Sequence, residues 1–438
     1  MRQLYRIAYA LGFFVTWPLW LLRDFLQRKP FAVKERFLGP GRMLPKSPGL
    51  PRAWVWVLSL GEALAAKNLI PALEEAGLEV VISSTTATGR ATVARLFPSH
   101  LALASPLDFN LSTRRFIESV APDLLVLVET DIWPGVLFQL RQRNIPTALI
   151  SARVSPRSLR GYGYIRPFWS RVLRLFNLIT TQSEGERAAL IALGADPAAT
   201  WALGDLKFDC PVCETTPEAR AALLQAAGWP DGRWIVAGST HAGEEAIILG
   251  AFLSLKQSRP AQYQDLRLLL APRNQSDFLA VRERLLERGL TAASRSVPQS
   301  SDAERFIFIL DTLGELERFY DLAEIALVGK SWPGRHKGGG HNPLEPAARG
   351  KPVIFGPQMH NYRWMAQAII KAGGALMTAD QAALAAALHD LLSNSGKARS
   401  MGRAAADFVR AHQGVTARTM ELLNPIIQGV RARSQPDD

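Results

Sequence analysis

Apolar and polar positions alternate along this chain in a regular rhythm. Short apolar runs at 54–58, 78–83, 101–104, 124–128, 147–150 and 178–181 predict strands. Between them, residues 62–76, 89–97, 111–120, 133–143 and 184–193 each have the length and polarity of a helix. Strands alternating with helices imply a parallel α/β sheet. The rhythm weakens from 205 to 232, a stretch containing Pro211, Pro217, Pro230 and two glycines. It resumes with strands at 234–237, 266–270, 306–310, 325–328 and 352–355. The expected architecture is two doubly wound, Rossmann-like domains facing across a cleft, with ligands at the carboxyl ends of the strands. The expected boundaries are 1–30 for an N-terminal helix, 31–210 and 233–438 for the two domains, and 211–232 for a connector. Helices near the C-terminus are grouped with the second domain, although residues 397–427 could pack on either.

Residues 7–22, IAYALGFFVTWPLWLL, carry no charge; Arg2 and Arg6 precede them, and Arg23, Asp24, Arg28 and Lys29 follow. Sixteen uncharged residues fall short of the roughly 20 that span a bilayer upright. Trp17 and Trp20 beside arginines suit a membrane interface. No small-residue cleavage site follows, so the segment is expected to be an uncleaved membrane anchor, either a marginal span or a surface helix.

Composition narrows the partners. The 438 residues are 48% hydrophobic and 21% charged, which excludes a disordered, collagenous or disulfide-built protein. The two cysteines, Cys210 and Cys213, form a single pair, so structural zinc is not expected and a reducing compartment is the simpler assumption. A net charge of +12 points to anionic partners. The surplus is uneven: residues 1–210 hold 25 Lys+Arg against 16 Asp+Glu. No acidic residue lies between Asp131 and Glu184, an interval containing eight arginines from Arg141 to Arg174. In the half that carries the anchor, such a face suits anionic lipid or a phosphorylated lipid substrate.

Three motifs carry candidate chemistry. Ser59-Leu60-Gly61-Glu62 lies at a strand–helix junction, where Glu62 can act as a general base or merely complement the helix dipole. Glu129-Thr130-Asp131-Ile132-Trp133-Pro134 follows the strand 124–128. Its two carboxylates could hold a divalent ion, but a hydrogen-bonding or charge-stabilising role for Glu129 is favoured, with Asp131 equally suited to capping the next helix. The run Gly338 to Pro346, GGGHNPLEP, opens a helix with Asn342 as cap and Pro343 at its first position. Unpaired N–H groups there suit a nucleotide phosphate, and Glu345 suits ribose hydroxyls. Arg273, Lys207 and the Gly238-Ser239-Thr240-His241 turn add further candidate anion contacts. Gly329-Lys330-Ser331 is not a P-loop, because Glu324 stands where the first glycine is required, and no GxGxxG, HExxH or GxSxG occurs.

Taken in order, these segments resemble the 3-deoxy-D-manno-octulosonic acid (Kdo) transferases of Gram-negative bacteria. The series runs SLGE at 59–62, TTATGRATVARLF at 85–97, ETDIWP at 129–134, SARVSPRSLRGY at 151–162, GDLKFD at 204–209, GSTHAGEE at 238–245, APR at 271–273, DTLGEL at 311–316 and GGHNPLEPAA at 339–348. The resemblance implies a GT-B glycosyltransferase fold, with the first domain binding acceptor and the second binding CMP-Kdo. It implies transfer of Kdo to lipid IV-A on the cytoplasmic face of the inner membrane, in lipopolysaccharide synthesis. By motif, Glu62 resembles the family's catalytic base, and Glu129 and Lys207 its transition-state stabilisers. Pro272, Arg273, Leu313, Gly314, Glu315, Asn342, Pro343, Leu344 and Glu345 resemble its CMP-binding segments. The implied mechanism is one inverting displacement that needs neither metal nor cofactor. The expected partners are CMP-Kdo, lipid IV-A and anionic inner-membrane lipids, not nucleic acid. Asp131 stands where the family often has Glu, and the loop 331–337 is longer than in enterobacterial members.

A GT-B transferase using another nucleotide sugar, such as a UDP-sugar, on a phosphorylated lipid keeps the fold and changes the donor. A membrane-tethered nucleic-acid-binding protein fits a pI of about 10.0 but leaves the ordered motifs unexplained.

Overall fold

The computed structural model describes residues 2–26, 33–129, 131–213, 215–229, 231–296 and 306–434. Arg28 and Lys29, expected to flank the membrane segment, lie outside them. The chain divides into two compact units, Met1–Asp209 with Gly414–Asp438, and Cys210–Gln413.

Among the described residues, the first unit contains β1 (Arg52–Val57), β2 (Glu79–Ser84), β3 (Ala102–Ala104), β4 (Leu124–Val128), β5 (Thr147–Ala152), β6 (Leu178–Thr181) and β7 (Thr200–Ala202). They form one parallel sheet in the order β3-β2-β1-β4-β5-β6-β7. Every position of β1, β4 and β5 is buried, as expected of parallel strands covered on both faces. Trp54 and Trp56 stack within β1 at 5.2 Å between ring centroids and face the helix-covered core with Phe116. The predicted helix at 62–76 is two helices, Leu60–Ala65 and Leu69–Glu75, broken where the Asn68 amide donates to the Asp209 carbonyl at 2.6 Å.

The second unit contains β8 (Arg233–Thr240), β9 (Leu266–Pro272), β10 (Ala293–Ser294), β11 (Ile307–Ile309), β12 (Ala323–Val328), β13 (Val353–Phe355) and β14 (Ala375–Met377). Their order is β10-β11-β9-β8-β12-β13-β14, again parallel. The stretch read as a connector is mostly part of this unit: helix Pro217–Ala227 buries Leu223 and Leu224, with Trp229, against Trp234 and Phe308.

The final helix, Val415–Ser434, belongs to the first unit rather than to the second, with which the sequence grouped it. The Asp209 carboxylate accepts the backbone N–H groups of Gly414, Val415 and Thr416 at 2.7, 3.0 and 2.5 Å. Arg431 and Arg433 then donate to the Ala76 and Asn144 carbonyls.

The N-terminal helix, Arg2–Leu26, is docked on the first unit. Tyr5, Tyr9 and Phe13, four residues apart, lie against Phe168, Phe109 and Phe37, and Tyr9 also meets Trp133 edge-on. Leu4, Ile7, Leu11, Phe14 and Val15 are exposed. Among the described residues, no helix is long and apolar enough to cross a membrane.

Both strand orders reverse at one place. β1 is followed outward by β2 on one side and β4 on the other; β8 has β9 on one side and β12 on the other. Loops leaving these paired strand ends diverge and leave a crevice, where doubly wound sheets bind ligands.

Candidate functional site

In the first unit, β1 ends at Val57 and the chain turns into helix Leu60–Ala65, whose third residue is Glu62. Glu62 accepts the Ser59 N–H at 3.0 Å and the Ser59 hydroxyl, so it caps its own helix while sitting at the sheet's carboxyl edge. Burial and the neighbouring Glu129 charge push its carboxyl above the ordinary range, with Ser59 and Lys207 opposing.

Glu129 directly follows β4 with φ of 63°, a left-handed conformation unusual for a side-chain-bearing residue. Its N–H is fixed to the Ile150 carbonyl at 2.8 Å. One carboxylate oxygen is bound by the Lys207 ammonium, and the other by Arg153 Nε at 3.0 Å. Burial works against the charged form, but Lys207 and Arg153 outweigh it and hold this carboxyl below its usual range. Lys207 also lies 3.7 Å from Asp205. Asp205 is itself pushed upward, first by burial. Glu186 completes the cluster. Burial pushes it up to about 7 against the pull of Arg153, and among the described residues its Oε2 has no hydrogen-bond partner.

Asp131 does not cap the following helix. It accepts from Trp56 Nε1 at 2.9 Å and from the Thr85 hydroxyl at 2.6 Å, which ties the ETDIWP segment to β1 and β2. Among the described residues, no group of three or more His, Cys, Asp or Glu is placed to hold a metal. Several arginines of the acid-free interval have structural work: besides Arg153, Arg166 and Arg174 donate to the Ala192 and Gly194 carbonyls.

In the second unit, the three glycines serve a different purpose from the expected anion cradle. Gly338, Gly339 and Gly340 have φ of 64°, 117° and 74°, and an added Cβ would strike Gln358, Asn361 and Met359 respectively. Their N–H groups are already used: they donate to His336 Nδ1, the Gln358 carbonyl and the Lys330 carbonyl. The glycines therefore permit tight backbone packing. The helix they precede, Leu344–Ala347, is a single turn, and the Asn342 side chain accepts the Leu344 N–H at 3.1 Å.

The neighbouring turns are filled in the same way. Glu244 accepts N–H groups from His241, Lys330, Ser331 and Trp332 at 2.8, 2.5, 3.1 and 3.2 Å. Gly238–Thr240 end β8 instead of forming the expected loop, and the His241 and 330–332 N–H groups are taken by an internal carboxylate. His241 and His341 meet Nε2 to Nε2 at 2.9 Å, and His336 lies 5.5 Å from His241 between ring centroids. Burial, then the charges of Lys330 and Arg273 respectively, lower His241 to about 4 and His341 to about 2. Burial and Glu317 push Glu345 up to about 7, with Arg273 opposing.

The structure thus joins Glu62, Glu129 and Lys207 at one switch point. It brings Arg273 near His341 and Glu345 at the other. Leu313 is 70% exposed, Gly314 has φ of 90°, and Glu315 is bound by Arg295 and Thr312. Among the described residues, none of these three bonds Arg273, Asn342 or Glu345 through a side chain. Pro272 closes β9, and the Arg273 N–H donates to the Thr240 carbonyl at 2.9 Å. Sequence reasoning missed Arg153 as the partner of Glu129, and missed Glu186 and Glu244. Arg153 and Glu244 lie within the quoted family segments but carried no role there; Arg153 follows β5, and Glu186 and Glu244 sit in first helical turns, so only strand pairing brings them to the switch points.

Two solved structures share this architecture. UDP-GlcNAc 2-epimerase from Neisseria meningitidis has a TM-score of 0.59 and 14% identity, covering 85% of this chain and 100% of its own. Anabaena Alr3699/HepE has a TM-score of 0.60 and 12% identity, covering 86% and 99%. The chain therefore has the GT-B-like two-domain α/β fold, which the parallel sheets and their paired switch points define. Residues 32–210 match the family model described as 3-Deoxy-D-manno-octulosonic-acid transferase (kdotransferase). The 3-deoxy-D-manno-octulosonic acid transferase of Bordetella pertussis is 36% identical over 397 residues, 89% of this chain and 90% of that one. Its Haemophilus influenzae counterpart is 31% identical over 383 residues, 86% and 87%. The chain belongs to the 3-deoxy-D-manno-octulosonic acid transferase family and is a glycosyltransferase.

Proposed function

We propose that this enzyme transfers Kdo from CMP-Kdo to lipid IV-A in one inverting, metal-independent step of lipopolysaccharide synthesis. The observation that carries the reading is the buried cluster in which Glu62 neighbours Glu129 while Lys207 and Arg153 neutralise Glu129. A carboxyl pushed upward by burial and a like charge is a better proton acceptor near neutral pH than an exposed glutamate. Glu62 takes the proton of the acceptor hydroxyl as its oxygen forms a bond to the anomeric carbon. The bond from that carbon to the phosphate oxygen breaks, and CMP departs with the electron pair. Glu129 and Lys207 stabilise the charge that develops on the acceptor side.

In the second unit, Pro272, Arg273 and the 313–315 and 342–345 segments hold the nucleotide. Arg273 and Lys330 supply the positive charge, and the neutral histidines offer hydrogen bonds. Domain roles follow: residues 31–210 engage the acceptor and 233–413 the donor. The N-terminal helix rests at the cytoplasmic surface of the inner membrane, with Leu4, Ile7, Leu11, Phe14 and Val15 toward anionic lipid.

The test is transfer by purified protein from freshly generated CMP-Kdo to lipid IV-A in EDTA, beside Glu62→Ala. Product from wild type and none from the variant is the expected result. CMP binding without transfer means a different acceptor, UDP binding in place of CMP means a different donor, and transfer abolished by EDTA overturns the metal-independent step.

A further inference from the structure

The N-terminal helix is bolted, through one buried carboxylate, to the start of the helix in which the ETDIWP segment ends. Asp108 is 2% exposed and follows β3. Its Oδ2 accepts the Tyr5 hydroxyl at 2.5 Å and the Gly135 N–H at 2.7 Å; its Oδ1 accepts the Val136 N–H at 2.8 Å. Its own N–H donates to the Tyr9 hydroxyl at 3.1 Å. Two residues on, the Asn110 side chain accepts from Arg6.

Gly135 and Val136 are the second and third residues of helix Pro134–Gln142. Pro134, at the first position, has no N–H to offer, so Asp108 takes the two N–H groups that follow. The approach is close enough that a Cβ on Gly135 would lie 2.5 Å from Asp108 Oδ1, which is why glycine follows the ETDIWP motif.

The segment between Glu129 and this helix is short, and it is pinned at three places. Glu129 N–H is held by Ile150, Asp131 by Trp56 and Thr85, and the helix start by Asp108. Two of these pins belong wholly to the sheet. The third is shared with Tyr5 and Tyr9 of the N-terminal helix. Burial pushes the Asp108 carboxyl up to about 6, a cost that its hydrogen bonds offset.

We propose that Asp108 is a positioning residue for transfer, and that the N-terminal helix, through Tyr5 and Tyr9, is part of the catalytic framework as well as a membrane contact. The effect on turnover rests on the function proposed above. A carboxylate that must be held to a fraction of an ångström loses rate steeply when its supporting loop loosens.

The test uses the full chain with acceptor dispersed in detergent, so that vesicle binding does not limit the rate. Asp108→Asn is expected to lower kcat about tenfold and Tyr5→Phe about threefold, each with KM for CMP-Kdo within about twofold of wild type. Flotation with anionic vesicles is expected to be unchanged, which separates positioning from anchoring. Tyr5→Phe keeps the ring against Phe168 and removes one hydroxyl, so it decides the matter if Asp108→Asn does not fold. Wild-type kcat in Tyr5→Phe and in folded Asp108→Asn, or losses confined to acceptor KM and flotation, would overturn the proposal. If wild type itself transfers no Kdo, the function proposed above fails. Amide exchange at Gly135 and Val136 then tests the latch: faster exchange in Tyr5→Phe supports it, and unchanged exchange overturns it.

Discussion

At the carboxyl end of β1, the crevice beside β4 gathers Glu62, Glu129, Asp205 and Glu186 around Lys207 and Arg153. At the matching end of β8, the crevice beside β12 gathers His241, His336 and His341 beside Lys330 and Arg273. The topology is the same and the arrangement of charge differs, although Glu244 and Glu345 lie at the second crevice too. In the first unit, burial and the neighbouring Glu129 charge push Glu62 upward, while Lys207 and Arg153 hold Glu129 ionised. In the second, burial and then the charges of Lys330 and Arg273 lower the histidines. A group of that kind gains from an anion arriving among it. The fold supplies the crevice, and a few loop residues decide whether it handles protons or holds charge.

The sharpest way to break this division is to remove the proposed base. Glu62→Gln is expected to lower transfer by about 10³-fold, within the range general-base removal usually gives, while CMP affinity stays at its wild-type value. Calorimetric titration with CMP beside the transfer assay checks both halves. Lost CMP binding would mean that the two crevices are not separate in function.

Lys207 tests whether the first cluster is structural, chemical or both. Lys207→Met leaves the 2% exposed Glu129 side chain with Arg153 as its one remaining ion-pair partner among the described residues. Removing one member of a buried pair costs about 3–5 kcal/mol, read as a lowered urea midpoint. Adding Glu129→Gln removes the stranded charge, so the double variant is expected to regain most of that stability. Its transfer rate should stay low, because the charges proposed to act on the transition state are gone. Recovery of both would reduce the pair to a packing feature.

Much of this was legible in the sequence, for reasons that are physical. The strands of both sheet centres are unbroken apolar runs because both faces are buried, and each was found. The edge strands β7, β10 and β14 were not, because they are only three, two and three residues long and give too short an apolar signal. Glu62 and Glu129 were legible because each lies just past a strand end, where such folds place chemistry. The pairing of Glu129 with Arg153 was not, because it depends on β4 lying beside β5. The glycine triad was misread for an instructive reason. Glycine signals positive φ or close approach, and here the approaching groups are Gln358, Met359 and Asn361 of the protein itself. The final helix was misplaced because its buried apolar stripe, Val415, Leu423, Ile427 and Val430, fits a core in either domain, and the backbone bonds to Asp209 that fix its partner leave no mark in the sequence.

That misreading yields a smaller prediction about the second crevice. In Gly339→Ala, a Cβ would sit 2.3 Å from Asn361 Nδ2 on a backbone with φ of 117°. The expected cost is about 1–3 kcal/mol. Gly163→Ala, in helix Pro156–Tyr164 with nothing within 4 Å, is expected to be neutral or to stabilise by up to about 1 kcal/mol. Thermal unfolding of the two variants checks the contrast. A silent Gly339→Ala would mean that the loop rearranges without loss and has room for a ligand's phosphate among its N–H groups.

The smallest effect expected is a displacement of the acid limb of kcat/KM. Glu62 accepts a proton only when ionised, so activity falls as pH drops through its raised pKa. Glu129 contributes to that elevation through its negative charge, and Lys207 opposes it. Glu129→Gln removes the negative neighbour and leaves the Lys207 charge uncompensated, and both changes lower the Glu62 pKa. The acid limb should therefore move to lower pH in Glu129→Gln, even as the plateau falls. In Lys207→Met the opposing positive charge is gone, and the limb should move to higher pH. Opposite displacements in two variants that both lose activity are hard to produce by general loosening of the site. They require the titrating group to lie close to both side chains, as Glu62 does. A limb that stays fixed in both would assign the titration to another group and remove Glu62 from the role of base.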